Sequence, residues 1–112
     1  MIVPYIKRIT TGTTGTPVTT NLIATNCYVQ QIVIACEDAG TAWTLRVQDK
    51  SSPNPFVLLP EFTLSVPTDG YANVMWGGVN FFPIPMTGGI DIVTRGTTAG
   101  KVIVIAHIEQ PG

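Results

Sequence analysis

Apolar residues alternate with a period of two along most of this chain, and that spacing is typical of β-strands. The clearest segment, Lys101–Glu109, has two apolar sets of alternate positions: Val102, Val104, Ala106 and Ile108 on one side, and Ile103, Ile105 and His107 on the other. Because both sides are largely apolar, this strand is predicted to lie between the core and a second buried surface.

A second segment alternates more simply, with Trp43, Leu45 and Val47 predicted to point inward and Thr44, Arg46 and Gln48 predicted to face water. Short polar stretches rich in glycine separate such segments. Two of them are predicted to be hairpin turns. Glu37–Gly40 would join the strands on either side of it, and Arg95–Gly100 would join Ile90–Thr94 to Lys101–Glu109.

Strands and turns of this spacing predict an all-β chain that folds as one domain over residues 1–112. The predicted class is a single-domain antiparallel β-sandwich, jelly-roll-like, with an up-and-down barrel as the alternative. About eight strands are predicted: Ile2–Ile9, Val18–Ala24, Tyr28–Cys36, Thr41–Gln48, Phe56–Leu59, Phe62–Val66, Ile90–Thr94 and Lys101–Glu109.

Charged residues are scarce, and this limits the partners that the chain can have. They make up 12% of the sequence against about 25% in ordinary soluble domains, while apolar residues make up 45%. Part of the surface is therefore expected to be covered by another copy or by a partner. With a net charge of −1 and Lys7-Arg8 as the one adjacent basic pair, nucleic-acid binding is not expected.

No membrane segment is expected, because the strongly apolar runs are far shorter than the roughly 18 residues that a spanning helix needs. Residues 1–4 lack the basic start of a signal peptide, and Lys7-Arg8 comes too early to leave room for its long apolar stretch. The sequence therefore predicts a protein made in the cytoplasm.

Few side chains suggest chemistry, and neither a cofactor nor catalysis is expected. His107 is the single histidine, so a multi-histidine metal site or a histidine relay is not predicted, and a hydrogen-bonded strand position is favoured. Asp91 interrupts an apolar strand and is predicted to point outward; an inward position would require a partner. Cys27 and Cys36 would lie about 30 Å apart on one strand, so buried thiols are favoured over a disulfide.

Aromatic residues cluster in Tyr71–Thr87, a segment interrupted by Gly and Pro and predicted to be a loop. Three roles are open for this cluster: a plug at one end of the core, an interface between proteins, or a platform on which sugar rings stack. Its candidate interface residues are Tyr71, Met75, Trp76, Phe81 and Phe82.

The two ends of the chain resemble small phage virion proteins. The segments that carry the likeness are Pro4–Thr10, which a Thr/Gly turn follows, and Gly88–Thr94, which leads through a polar turn to Lys101–Glu109. The resemblance implies a decoration (cement) protein that docks on an assembled capsid and clamps neighbouring subunits, frequently as a homotrimer. Its partners would be the major capsid protein or other virion proteins, and it would be located on the virion, after synthesis in the host cytoplasm.

The leading hypothesis is thus capsid decoration, with Ile2, Val3 and Tyr5 of the N-terminal strand added to the candidate interface. A tail, neck or baseplate component is the first alternative, and it would be present in fewer copies. A carbohydrate-binding β-sandwich module is the second alternative. An enzyme is the hypothesis that the residues support least.

Overall fold

A computed structural model describes residues 2–10, 15–38, 43–64, 74–78, 82–97 and 100–110, without the side chains of Asp38, Val74 and Met75. Within these ranges the chain forms nine β-strands and no helix. The strands are β1 (Ile2–Thr10), β2 (Val18–Ile23), β3 (Cys27–Asp38), β4 (Thr44–Asp49), β5 (Val57–Thr63), β6 (Val74–Gly77), β7 (Ile84–Met86), β8 (Ile90–Arg95) and β9 (Lys101–Glu109).

The strands form two antiparallel sheets that pack face to face. The first sheet has the order β1-β9-β3-β6, with β7 also paired to β3, and the second has the order β2-β8-β4-β5. Early strands pair with late ones, as when a long hairpin is rolled up: β1 with β9, β2 with β8, β3 with β6 and β4 with β5. This is jelly-roll connectivity. The predicted β-sandwich is confirmed, and the described strands do not form the alternative barrel.

One predicted pair of strands is a single strand in the structure. The prediction separates Phe56–Leu59 from Phe62–Val66 at Pro60, but the chain continues through this residue as β5. Proline is tolerated there because β5 is the last strand of the second sheet, so one side of its backbone has no ladder to complete. The register of β5 against β4 shifts on the two sides of Pro60. Residues 65–66 lie outside the described residues.

The predicted loop Tyr71–Thr87 contains two short strands, so that interpretation is wrong for part of the segment. β6 has four residues and β7 has three, and both pair with β3. Strands this short show no measurable period in a sequence, and their position is set by the long β3 beside them.

Both predicted hairpins are wrong. The chain leaves β3 in the first sheet and enters β4 in the second, and it likewise passes from β8 in the second sheet to β9 in the first. Turn residues indicate that the chain reverses, but not whether the two flanking strands pair. Residues 39–42 and 98–99 of these connections lie outside the described residues.

The core lies between the two sheets and follows the predicted alternation. Trp43, Leu45 and Val47 are fully buried, as predicted, while Arg46 and Gln48 on the opposite side of β4 are partly exposed. In β9 the inward set is fully buried, and the outward set is half-buried. The inner faces thus form one continuous apolar cluster, and the outer side of β9 becomes the first feature of functional interest.

Candidate interaction surfaces

The first sheet has an outer face, directed away from the second sheet, that is built mainly from β1, β9 and β3. Besides a terminal row of Thr10, Lys101 and Asp38, the register of these strands sets their outward side chains in four cross-strand rows. From one end to the other the rows are Arg8 with Ile103 and Ala35; Ile6 with Ile105 and Val33; Pro4 with His107 and Gln31; and Ile2 with Glu109 and Tyr28.

Apolar side chains dominate this outer face. Ile6 is 69% exposed, and Ile2 and Tyr28 are 47% and 42% exposed. Ile105 and Val33, in the same row as Ile6, are half-buried by their neighbours on the sheet. Large apolar residues grouped in this way on a solvent face are typical of a surface that another protein covers.

The polar residues in the middle of the outer face bond to each other. His107 Nδ1 lies 2.8 Å from Gln31 Oε1, so the ring and the amide satisfy one another across β9 and β3. The predicted hydrogen-bonded strand histidine is therefore confirmed. A polar pair with its own hydrogen bond can be covered by a partner at a lower cost than two unsatisfied groups.

The outer face of the second sheet is polar instead. Arg46 Nε donates to Gln48 Oε1 at 2.9 Å, and the Arg95 guanidinium lies 2.9 Å from Glu61 Oε1. Asp91 belongs to this face as well, opposite Gln48. The two outer faces of the sandwich thus differ in character: hydrogen bonds and ion pairs between polar side chains run across the second sheet, and large apolar side chains dominate the first.

Asp91 points outward, as predicted, and it also has partners. Its carboxylate accepts hydrogen bonds from Asn21 Nδ2 at 3.1 Å and from Lys50 Nζ at 3.2 Å. A partner is expected only if Asp91 points inward. Asp91 is nevertheless only 8% exposed on the outward side, so its carboxylate needs these partners there as well.

The N-terminal strand β1 lies at one rim of the first sheet and is exposed along most of its length. Val3 and Tyr5 point to the same side as the buried Ile108 and Ala106, yet they remain 37% and 36% exposed. This side of β1 is therefore not covered at Val3 and Tyr5, although Ile9 on the same side is buried, and apolar side chains are accessible on both sides of the strand. The predicted interface residues Ile2, Val3 and Tyr5 are brought together here.

The aromatic cluster is divided by the structure. Trp76, a candidate interface residue, is half-buried and packs against the core, as expected for the plug, one of the three roles left open for the cluster. Phe82 is 90% exposed. Tyr71, Phe81 and the side chain of Met75 lie outside the described residues.

One shallow pocket, about 240 Å³ in volume, lies where β3 meets β7. It contains no pair of carboxylates and no histidine. Its lining residues are Asn26, Cys27, Tyr28, Pro85, Met86 and Thr87. The described part of the chain contains no group of three or more His, Cys, Asp and Glu residues that could hold a metal ion. Nor does any helix within the described ranges have the length and apolarity to cross a membrane.

Both cysteines are buried thiols on β3, as predicted, and we expect them to resist modification in the folded protein. Cys27 is 2% exposed and Cys36 is 5% exposed, and burial raises the pKa of Cys27 to about 11. Because the thiolate is the reactive form, a disulfide reagent near neutral pH should label neither thiol without denaturant and both with it. Rapid labelling of the folded protein would contradict this, and a Cys27→Ser variant would show which thiol had reacted.

Searches against protein-family models, the curated proteins and the solved structures found no match to this chain. The protein is therefore characterised by its architecture: an antiparallel β-sandwich with one polar outer face, one apolar outer face and an exposed N-terminal strand.

Proposed function

We propose that this chain is a non-enzymatic structural protein of a virion, and that it decorates the assembled capsid by binding across neighbouring subunits. The observation that carries the proposal is the exposure of apolar side chains on both sides of β1, at one rim of the sandwich. A strand of this kind offers a partner both an apolar surface and a backbone edge that no described strand of this chain pairs with.

Binding through such a strand explains how a small domain would stabilise a shell. A protein that binds only the assembled state shifts the equilibrium towards that state by mass action. The jelly-roll topology agrees with this use, since viral capsid domains are among the proteins built on it, although fold alone does not determine function. The contact surface would include Ile2, Val3 and Tyr5 on β1.

The proposal is tested by sedimenting the protein with purified particles from its source. A Val3→Asp, Tyr5→Asp double variant should bind at least about tenfold more weakly, because two apolar anchors are replaced by charges that the interface would have to desolvate. The matched control is Val57→Asp on β5, whose valine is 38% exposed against 37% for Val3. This control should bind like the wild type.

Each outcome of the sedimentation experiment decides a different point. Failure of the wild-type protein to sediment with particles would overturn the virion assignment. Equal binding by wild type and the β1 double variant would remove β1 as the contact. A copy number close to that of the major shell protein supports decoration, and a few copies per particle would instead support the tail, neck or baseplate alternative.

The carbohydrate-binding alternative has less support among the described residues. A sugar-stacking platform needs exposed aromatic rings that lie together. Of the two aromatic rings of the predicted cluster that lie within the described ranges, Trp76 packs against the core and Phe82 is exposed. We therefore place this alternative behind the structural one.

A further inference from the structure

We propose that the outer face of the first sheet packs against the same face of a second copy, giving a two-fold dimer whose facing strands run antiparallel. This dimer would cover Ile2 and Ile6 on one side of β1 and leave Val3 and Tyr5, on the other side, accessible to the virion. It would replace the trimer that the resemblance implies. The surface consists of the cross-strand rows of β1, β9 and β3, with β6 and β7 beside β3, and its apolar middle row is Ile6, Ile105 and Val33.

The outer face is large enough for a specific dimer. β1, β9 and β3 lie side by side, and β6 and β7 together fill the fourth position. β1 and β9 have nine residues each, about nine residues of β3 lie beside them, and β6 and β7 add seven residues. With about 3.3 Å per residue and about 4.8 Å between strands, they cover about 540 Å². Two copies would then bury about 1,100 Å², which exceeds the roughly 1,000 Å² expected of a specific interface.

The distribution of polarity also suits a buried surface. Apolar side chains occupy the middle of the face, and the His107–Gln31 pair among them is already hydrogen-bonded at 2.8 Å. Arg8 forms a 2.7 Å ion pair with Glu37 at one end of the face, where it can remain in contact with water. An apolar centre with charged groups at its margin is the usual arrangement of a protein interface.

The charges at the two ends of the face determine which orientation is favoured. Lys101 lies at the start of β9, in a row with Thr10 and Asp38, and Glu109 lies at the end of β9, in a row with Ile2 and Tyr28. Antiparallel packing about a two-fold axis places Lys101 of one copy opposite Glu109 of the other. Parallel packing would place like charges together, so complementarity favours the antiparallel arrangement.

A second copy is the occupant that this surface fits best. A two-fold contact must complement itself, and a sheet of outward Ile and Val residues can do so because two such faces pack like the halves of a sandwich. The low charge of the sequence also requires a covered surface somewhere. The polar outer face of the second sheet does not supply it.

The test is the mass of the protein in solution, measured by light scattering during size-exclusion chromatography at about 1 to 100 µM, concentrations at which micromolar affinities are resolved. The wild type should elute with twice the 12.0 kDa mass of one chain. Ile6→Asp should be monomeric at the same concentrations, and Ile105→Glu should give the same result at the centre of the face. Because Ile6 is 69% exposed, its substitution should leave the fold intact, which circular dichroism verifies. Val57→Asp is the control and should remain dimeric.

Several results would overturn this proposal without touching the proposed function. A monomeric or trimeric wild type would exclude the two-fold dimer, and a dimeric Ile6→Asp variant would exclude this face. For the orientation, Lys101→Glu should weaken the dimer, and adding Glu109→Lys should restore it; failure to restore it would exclude the antiparallel arrangement. Val3 and Tyr5 point to the other side of β1, so their substitution should reduce particle binding without changing the mass.

Discussion

Replacing Gly89 with alanine is expected to cost more than about 4 kcal/mol of the free energy of unfolding, which is enough to prevent a small domain from folding stably. Gly89 precedes β8 and has a φ of +122°, a backbone conformation that residues other than glycine rarely adopt. A Cβ atom there would overlap the carbonyl oxygen of Ile23 and lie 2.8 Å from its carbonyl carbon. Ile23 is buried and paired with Ile90, so this backbone cannot move aside without breaking the end of β2.

The matched control for Gly89 is Gly15→Ala. Gly15 also has a positive φ, +75°, but the nearest atom to an added Cβ is Thr97 Cγ2 at 3.8 Å, an ordinary van der Waals contact. Only backbone strain remains there, and it should cost about 1 to 2 kcal/mol. Urea unfolding followed by circular dichroism measures both variants. Equal losses would mean that the overlap with Ile23 contributes nothing and that backbone strain is the whole effect.

The faces of the long strands are predicted well from the sequence, because burial imposes a period of two directly on side-chain type. Trp43, Leu45 and Val47 are buried as their spacing indicates. The apolar character of both sides of Lys101–Glu109 likewise indicates a strand between the core and a second surface. The outer side of β9 is only half-buried, so the expected burial of that second surface stays a prediction.

Pairing between distant strands cannot be read from local sequence. Glu37–Gly40 has the composition of a hairpin turn, but β4 pairs with β5 and β8 in the other sheet. Pro60 resembles a break between strands in the sequence, because proline is excluded from central strands. β5 tolerates it as an edge strand, and that edge position depends on the whole sheet. Such features are set by tertiary contacts, and a window of a few residues does not contain them.

The candidate interface is predicted only in part. Ile2, Val3 and Tyr5 of the N-terminal strand are all exposed. Ile6, the most exposed large apolar side chain described on the outer face, is absent from the predicted set, and so is Ile105. The alternation of Lys101–Glu109 holds part of the necessary signal, but only the pairing of β1 with β9 shows that Ile6 and Ile105 form one row.

Replacing Asp49 with asparagine is expected to destabilise the protein by about 2 to 4 kcal/mol near neutral pH. Asp49 is 3% exposed, and its carboxylate accepts hydrogen bonds from the backbone N–H of Ser51 at 3.0 Å, of Phe56 at 2.8 Å and of Thr87 at 3.3 Å, and from the Ser51 hydroxyl at 2.9 Å. An amide has one acceptor oxygen and turns an NH2 group towards donors, so at least one buried N–H loses its acceptor.

The loss should depend on pH in a direction that the carboxylate's environment determines. Burial raises the pKa of Asp49, but the hydrogen bonds from Ser51, Phe56 and Thr87 lower it by more than burial raises it. The pKa of Asp49 in the folded protein therefore lies below its ordinary value. A group whose pKa is lower in the folded state stabilises the fold above its unfolded pKa, about 3.9, and that contribution is lost as the pH falls through the folded pKa. The difference between wild type and Asp49→Asn in urea unfolding should therefore be largest above about pH 5 and shrink below about pH 4. The control is Glu61→Gln, which removes the ion pair between Glu61 and Arg95. Because these two side chains are 41% and 47% exposed, this substitution should cost less than about 1 kcal/mol of the free energy of unfolding. A constant difference across this range would show that Asp49 stabilises the fold through packing and not through its charge.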